Sequence, residues 1–265
     1  MIICYFCVNI KTMRFFLLFY LTVYFTSAQN IDVERVGLKQ YKYSAFWGND
    51  LSGNSYFSTG NNLYKINSTD TLNYTNNTFG SISSVETFNM LQTLVFYKEN
   101  NAFVLLDAQL NEIKTAIFSE INCEFLKPAS QNELWFYDSL SQQIGLYNLN
   151  SKKIKFLSNP TKAIKQSQSD YNYLYWIDND NNGYSISKFG KIANLGKVAP
   201  FEKVVFLSQN HLFYLFEHKI YNYTFENQLS TRININENLI ANFFYTDGFF
   251  SIFTNNQLST YQIKK

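Results

Sequence analysis

The run Asp178-Asn179-Asp180-Asn181-Asn182-Gly183 packs the most ligand chemistry into the shortest stretch of the chain. Oxygen donors at alternate positions ahead of a glycine make the first half of a calcium loop, and calcium, a hard cation, seeks six or more such oxygens. Asp178, Asp180 and Asn182 are therefore candidate calcium ligands. The ninth and twelfth positions, which should complete the cage, are Ile186 and Phe189. The same six residues also suit a plain turn between two strands. Calcium is the one cofactor the residues suggest, and otherwise none is expected.

A second candidate set is positional. Ser58, Lys98, Asp138, Asp178, Glu217 and Thr254 each follow or end a strand-like run, at steps of 40, 40, 40, 39 and 37 residues. Arranged around an axis, they would share one mouth of a central channel. Three acids and a lysine there would suit a cation or a polar ligand. A strand also ends in a polar residue simply because it meets water, so the pattern has a bland explanation beside the functional one.

Nucleophilic and acid–base chemistry find little footing. His211 and His218 are the only histidines and flank Leu212–Glu217. With Glu217 they would make a minimal metal set, but they read as ordinary surface or hairpin residues. No Gly-x-Ser-x-Gly elbow, phosphate loop or dinucleotide fingerprint occurs. Paired carboxylates for glycoside chemistry would have to come from different repeats, and no pair stands out.

The elements that must position these residues recur. Leu134-Trp135-Phe136-Tyr137 with Ile144-Gly145-Leu146-Tyr147 is one copy of a strand, polar turn, strand phrase. Leu174-Tyr175-Trp176-Ile177 with Tyr184-Ser185-Ile186-Ser187 is the next, and six copies occur in all. The 20 Tyr and 26 Phe favour strands, and no helical period survives a scan. Each repeat reads as four strands; in the third they fall at Cys123–Leu126, Leu134–Tyr137, Ile144–Leu149 and Lys153–Leu157. The repeats span roughly 41–78, 79–119, 120–159, 160–197, 198–236 and 237–265. The sixth stops after its third strand, while Ile31–Leu38 is spare at the other end. Residues 31–38 should therefore supply the missing outer strand and close a ring. Trp47, Trp135 and Trp176 should pack between repeats. Phe243-Phe244-Tyr245 and Phe249-Phe250 read as core or as a docking patch.

Residues 1–28 read as a secretory signal peptide. Lys11 and Arg14 precede the apolar run Phe15–Phe25, and Thr26-Ser27-Ala28 offers small residues for cleavage. An 11-residue run is too short to span a bilayer, which needs about 20. Of 265 residues, removing 28 leaves 237, with 20 basic and 20 acidic side chains, so no charge footprint of a nucleic-acid binder remains. Cys4 and Cys7 leave with the leader, and Cys123 should be a buried apolar residue without a disulfide.

A period near 40 built from strands resembles the six-bladed β-propeller superfamily, and in size and composition the small exported propellers of Bacteroidetes. The motifs of WD40, kelch and Asp-box repeats are missing; Leu174-Tyr175-Trp176-Ile177-Asp178 comes nearest to a Tyr-Trp-Thr-Asp motif. The resemblance implies an all-β fold, a six-bladed β-propeller of four-stranded antiparallel blades closed by an N-terminal strand. The function this suggests is a non-enzymatic, periplasmic or cell-surface scaffold that binds a protein partner, as a subunit of an outer-membrane or other envelope assembly. A glycan-active hydrolase or lyase with acids at the channel mouth, and a small-ligand or calcium-binding module, are the alternatives. No nucleic acid and no membrane span are expected.

Overall fold

The computed structural model describes residues 30–264 except 90, 131 and 256. The expected signal peptide lies outside the described residues. Strand β1 is Ile31–Gln40. The first repeat holds β2 (Ala45–Asn49), β3 (Ser55–Thr59), β4 (Asn62–Ile66) and β5 (Thr71–Thr75). The second holds β6 (Ser84–Asn89), β7 (Gln92–Tyr97), β8 (Ala102–Asp107) and β9 (Glu112–Ile117). The third holds β10 (Cys123–Pro128), β11 (Glu133–Asp138), β12 (Gln143–Asn148) and β13 (Ile154–Phe156). The fourth holds β14 (Ile164–Ser169), β15 (Tyr173–Asp178), β16 (Asn182–Ser187) and β17 (Ile192–Lys197). Then come β18 (Lys203–Phe206), β19 (His211–Phe216), β20 (Lys219–Thr224) and β21 (Leu229–Asn234), and finally β22 (Asn242–Thr246), β23 (Phe249–Thr254) and β24 (Gln257–Ile263).

Each of the first four repeats forms its own four-stranded antiparallel sheet, in chain order. The last two do not separate as expected. Their strands form one eight-stranded sheet, ordered β18-β19-β20-β21-β1-β24-β23-β22. The architecture is thus four separate blades plus one fused sheet, not six separate sheets. The cause is β1, which pairs on both sides. It runs antiparallel to β24 from Val33↔Ile263 to Gln40↔Gln257, with a register shift between Arg35 and Gly37. Its first two residues also pair in parallel with β21, at Ile31↔Ile233 and Asp32↔Asn234. The Asn234 side chain donates to Asp32 Oδ1 at 2.7 Å and locks that bridge.

The innermost strands stand side by side around an axis. β2 touches β6, β6 touches β10, and the chain of contacts runs through β14, β18 and β22 back to β2. Alternation explains the packing: the second and third strands of a repeat are covered on both faces, so their apolar runs are nearly continuous. Clusters lie at each junction between consecutive repeats. Phe96 and Phe103 pack with Phe136 and Tyr147, and Trp135 packs with Leu174 and Trp176. The junction of last repeat with first is Phe46 and Phe57 against Phe253 and Leu258. Burying each such side chain contributes about 1.5–3 kcal/mol. Phe243 and Phe250 are fully buried, so the dense aromatic stretch is mainly core. The Gly145 position has no room for a side chain, since a Cβ there would stand 2.4 Å from Phe136 Cζ.

Candidate functional site

The six residues of the expected ring stand on the face carrying the second-to-third strand turns, but none lines the central channel. Each is engaged locally. Ser58 Oγ accepts from Trp47 Nε1 at 2.8 Å. Lys98, in a short 3-10 turn, pairs with Glu124. Asp138 accepts from the Ser141 hydroxyl at 2.6 Å and from the Asn122 amide at 2.9 Å. Burial opposes its ionised form, yet these hydrogen bonds outweigh it and hold the carboxyl below its usual range. Asp178 is buried in its own turn. The backbone at Glu217 is left-handed and donates its N–H to Glu202 at 2.9 Å. Thr254 is buried.

The calcium-like run forms a self-satisfied turn. Asp178 Oδ1 accepts from the amides of Asp180 at 2.9 Å and Asn182 at 2.8 Å, and Oδ2 accepts from the Asn182 side chain at 3.0 Å. Asp180 points away to Lys162 at 2.5 Å; that hydrogen bond and charge pull its carboxyl pKa down. The same Asp-x-x-x-Asn closure recurs twice. Asp50 accepts from the amide of Asn54 at 3.0 Å and its side chain at 2.7 Å. Asp107 accepts from the amide of Asn111 at 2.8 Å and its side chain at 3.0 Å. The left-handed residue of the turn is Asn181, not Gly183. Glycine is needed at 183 because a Cβ would stand 2.9 Å from Phe225. Asp178, Asp180 and Asn182 are thus engaged by Lys162 and by the turn's own amides. Among the described residues no three His, Cys, Asp or Glu converge to hold a metal.

The two histidines sit at opposite ends of β19: His211 meets Asn222, and His218 Nδ1 lies 3.2 Å from the Ile240 carbonyl. Cys123 is buried, which pushes its thiol pKa up, and its Sγ donates to the Phe125 carbonyl at 3.1 Å.

The polar chemistry gathers instead on the inner strands. They line a channel cavity of about 460 Å³. Consecutive inner strands do not share a backbone ladder, so side chains satisfy their edges. Gln166 accepts from the Val204 amide at 2.9 Å and donates to the Val204 carbonyl at 2.5 Å; Gln168 does the same to Phe206, both at 2.9 Å. Ser169 donates to the Pro128 carbonyl at 2.6 Å, and Asn242 donates to the Phe46 carbonyl at 3.1 Å. Strand starts meet starts and ends meet ends, so the inner strands run the same way. Every first-to-second strand turn therefore opens on one face.

Charge in the channel is few and specific. Glu86 and Lys127 pair at 2.5 Å. Lys203 donates to Asn242 Oδ1, and its Nζ lies 3.5 Å from the centre of the Phe244 ring. Burial, then the nearby Lys127 charge, pushes the Lys203 pKa down to about 7, against a smaller upward pull from Glu86. Sequence reasoning missed these residues. The available signal was a charged or amide side chain in the first strand of five repeats, at nearly the repeat spacing: Glu86, Lys127, Gln166, Lys203 and Asn242.

No protein-family model matches the chain, and no curated protein matches it. Solved structures do. A catalytically inactive virginiamycin B lyase from Staphylococcus aureus with quinupristin is similar at TM-score 0.56, with 15% identity, over 82% of this chain and 79% of that one. The WD40 β-propeller domain of Doa1 is similar at 0.57, with 12% identity, over 86% and 79%. A chain of the mitotic checkpoint complex reaches 0.58, with 9% identity, over 91% and 95%. Likeness at such identities shows the fold: an all-β propeller of four-stranded antiparallel blades.

Proposed function

We propose that the chain is an exported, non-enzymatic propeller that docks a protein partner on the face of its first-to-second strand turns, as a subunit of an envelope assembly. The observation that carries this is a ring of exposed apolar side chains on that face. Leu51 and Leu91 are each 70% exposed, Tyr171 47% and Leu207 37%, from the first-to-second connections of four repeats, and Phe249, 36% exposed, opens the second strand of the last. Water gains when such a ring is covered. The third repeat has no large apolar turn residue. Beside it lies a cavity of about 420 Å³ lined by Pro128, Ala129, Leu134, Leu149 and Tyr171. Apolar rim and cavity together suit an anchoring side chain of a partner. On the opposite face, among the described residues, Leu140 is 80% exposed and Leu239 58%. Export rests on the leader-like residues 1–28.

Crosslinking in the native envelope tests this reading. A stoichiometric protein partner is expected, lost in Leu51→Glu with Tyr171→Glu and kept in Leu140→Glu. No stoichiometric partner, or loss only in Leu140→Glu, overturns it.

A further inference from the structure

Among the described residues of the channel, the Lys203 cation has no carboxylate partner of its own. Glu86 neutralises Lys127, and the Asp50 carboxylate is spent on its own turn. Among the described residues no carboxylate pairs with Lys203; its ammonium has only an amide oxygen and an aromatic face. Removing an uncompensated charge from water is costly, and a counter-ion in the same cavity relieves that cost. The lining as a whole is neutral, Asp50 and Glu86 against Lys127 and Lys203, so what a ligand carboxylate would supply is the partner that Lys203 lacks. A second unmet group sits nearer the first-to-second turns: Asn49 Oδ1 is buried without a hydrogen-bond partner, in a residue that lines the channel. It asks for a donor such as a hydroxyl. Trp47, Phe244 and Tyr245 give the same cavity apolar walls. At about 460 Å³ the space falls in the range of small-molecule sites.

We propose that the channel binds a small hydroxylated carboxylate of sugar-acid size, its carboxylate on Lys203 and a hydroxyl donated to Asn49 Oδ1. Leu51 borders both this cavity and the docking face, so the two readings are told apart at Lys203, which the docking test leaves unchanged. Lys203 accounts for a pH dependence. An anion favours the ammonium, so binding takes up a proton and weakens as pH rises above about 7. The charged groups facing Lys203 are Lys127 and Glu86. On β14, Lys165 is turned onto the Phe201 ring at 3.8 Å, and Glu202 is held by the Glu217 amide.

The test uses glucuronate as probe, with glucose and inorganic phosphate as controls. The readout is the indole N–H signal of Trp47 in a nitrogen–proton correlation spectrum. Saturable glucuronate binding is expected, tighter at pH 6 than at pH 9. Lys203→Met should weaken it by about tenfold or more. Lys203→Gln, which keeps a polar group, should weaken it similarly, with circular dichroism confirming that both variants are folded. Absence of saturable glucuronate binding overturns the proposal. So does glucose binding equally well, phosphate binding in place of glucuronate, or a folded Lys203 variant that binds like the parent.

Discussion

Gln166 pairs with Val204 as a neighbouring strand would: its amide accepts from the Val204 N–H at 2.9 Å and donates to the Val204 carbonyl at 2.5 Å. One side chain thus does the work of a ladder rung between two blades that share no ladder. Gln166→Ala should leave both backbone groups of Val204 unmet at the channel wall. The expected loss is about 1–3 kcal/mol, read by urea unfolding. A loss under a few tenths would mean that water replaces the amide without cost.

Lys203 should make stability depend on pH. Its folded pKa is pushed down to about 7. The unfolded amine titrates near about 10.4. Between those values the unfolded chain binds more protons, so stability rises with pH from about 7 to about 10. Below about 7 both states are protonated and the slope vanishes. Lys203→Met should flatten the rise and raise Tm at pH 6. An unchanged Tm-against-pH slope in the variant would refute the buried titration.

The Asp178 turn should be indifferent to calcium. Asp178→Ala removes the acceptor of two amides and one side-chain donor. It should cost about 1–3 kcal/mol equally in chelator and in millimolar calcium. A rise in parent Tm on adding calcium, abolished by Asp180→Ala, would restore the metal reading.

Removal of residues 30–40 should expose the edges of β24 and β21 together. Open edges pair with other chains. The truncated protein is expected to elute as oligomers in size-exclusion chromatography, with a lowered Tm. A stable monomer would show that the closing strand is dispensable.

The blades were legible because their aromatic runs repeat: Leu134–Tyr137 and Leu174–Ile177 state strand and burial at once. Their strands fall within a few residues of expectation, β14 running on to Ser169. The fused sheet was not legible, since a parallel bridge at Ile31 and Asp32 leaves no periodic trace. The channel was hidden for a different reason. Glu86, Lys127 and Lys203 each adjoin an apolar strand residue, Val85, Leu126 and Val204, as solvent-facing strand residues do, and only the ring turns that face inward. The calcium-like run is ambiguous in sequence because a carboxylate that caps its own turn needs the same residue types as one that binds a cation. Asp50 and Asp107 make that closure without any metal-like sequence.

Strand β1 also sets a timetable. Val33 pairs with Ile263, so among the first described residues off the ribosome are those whose partner is made last. The earlier blades can assemble as their hairpins emerge, but the final sheet waits for the whole chain. Until then β1 lacks its β24 partner and has only the two-residue bridge to β21. Such long-range closure slows folding.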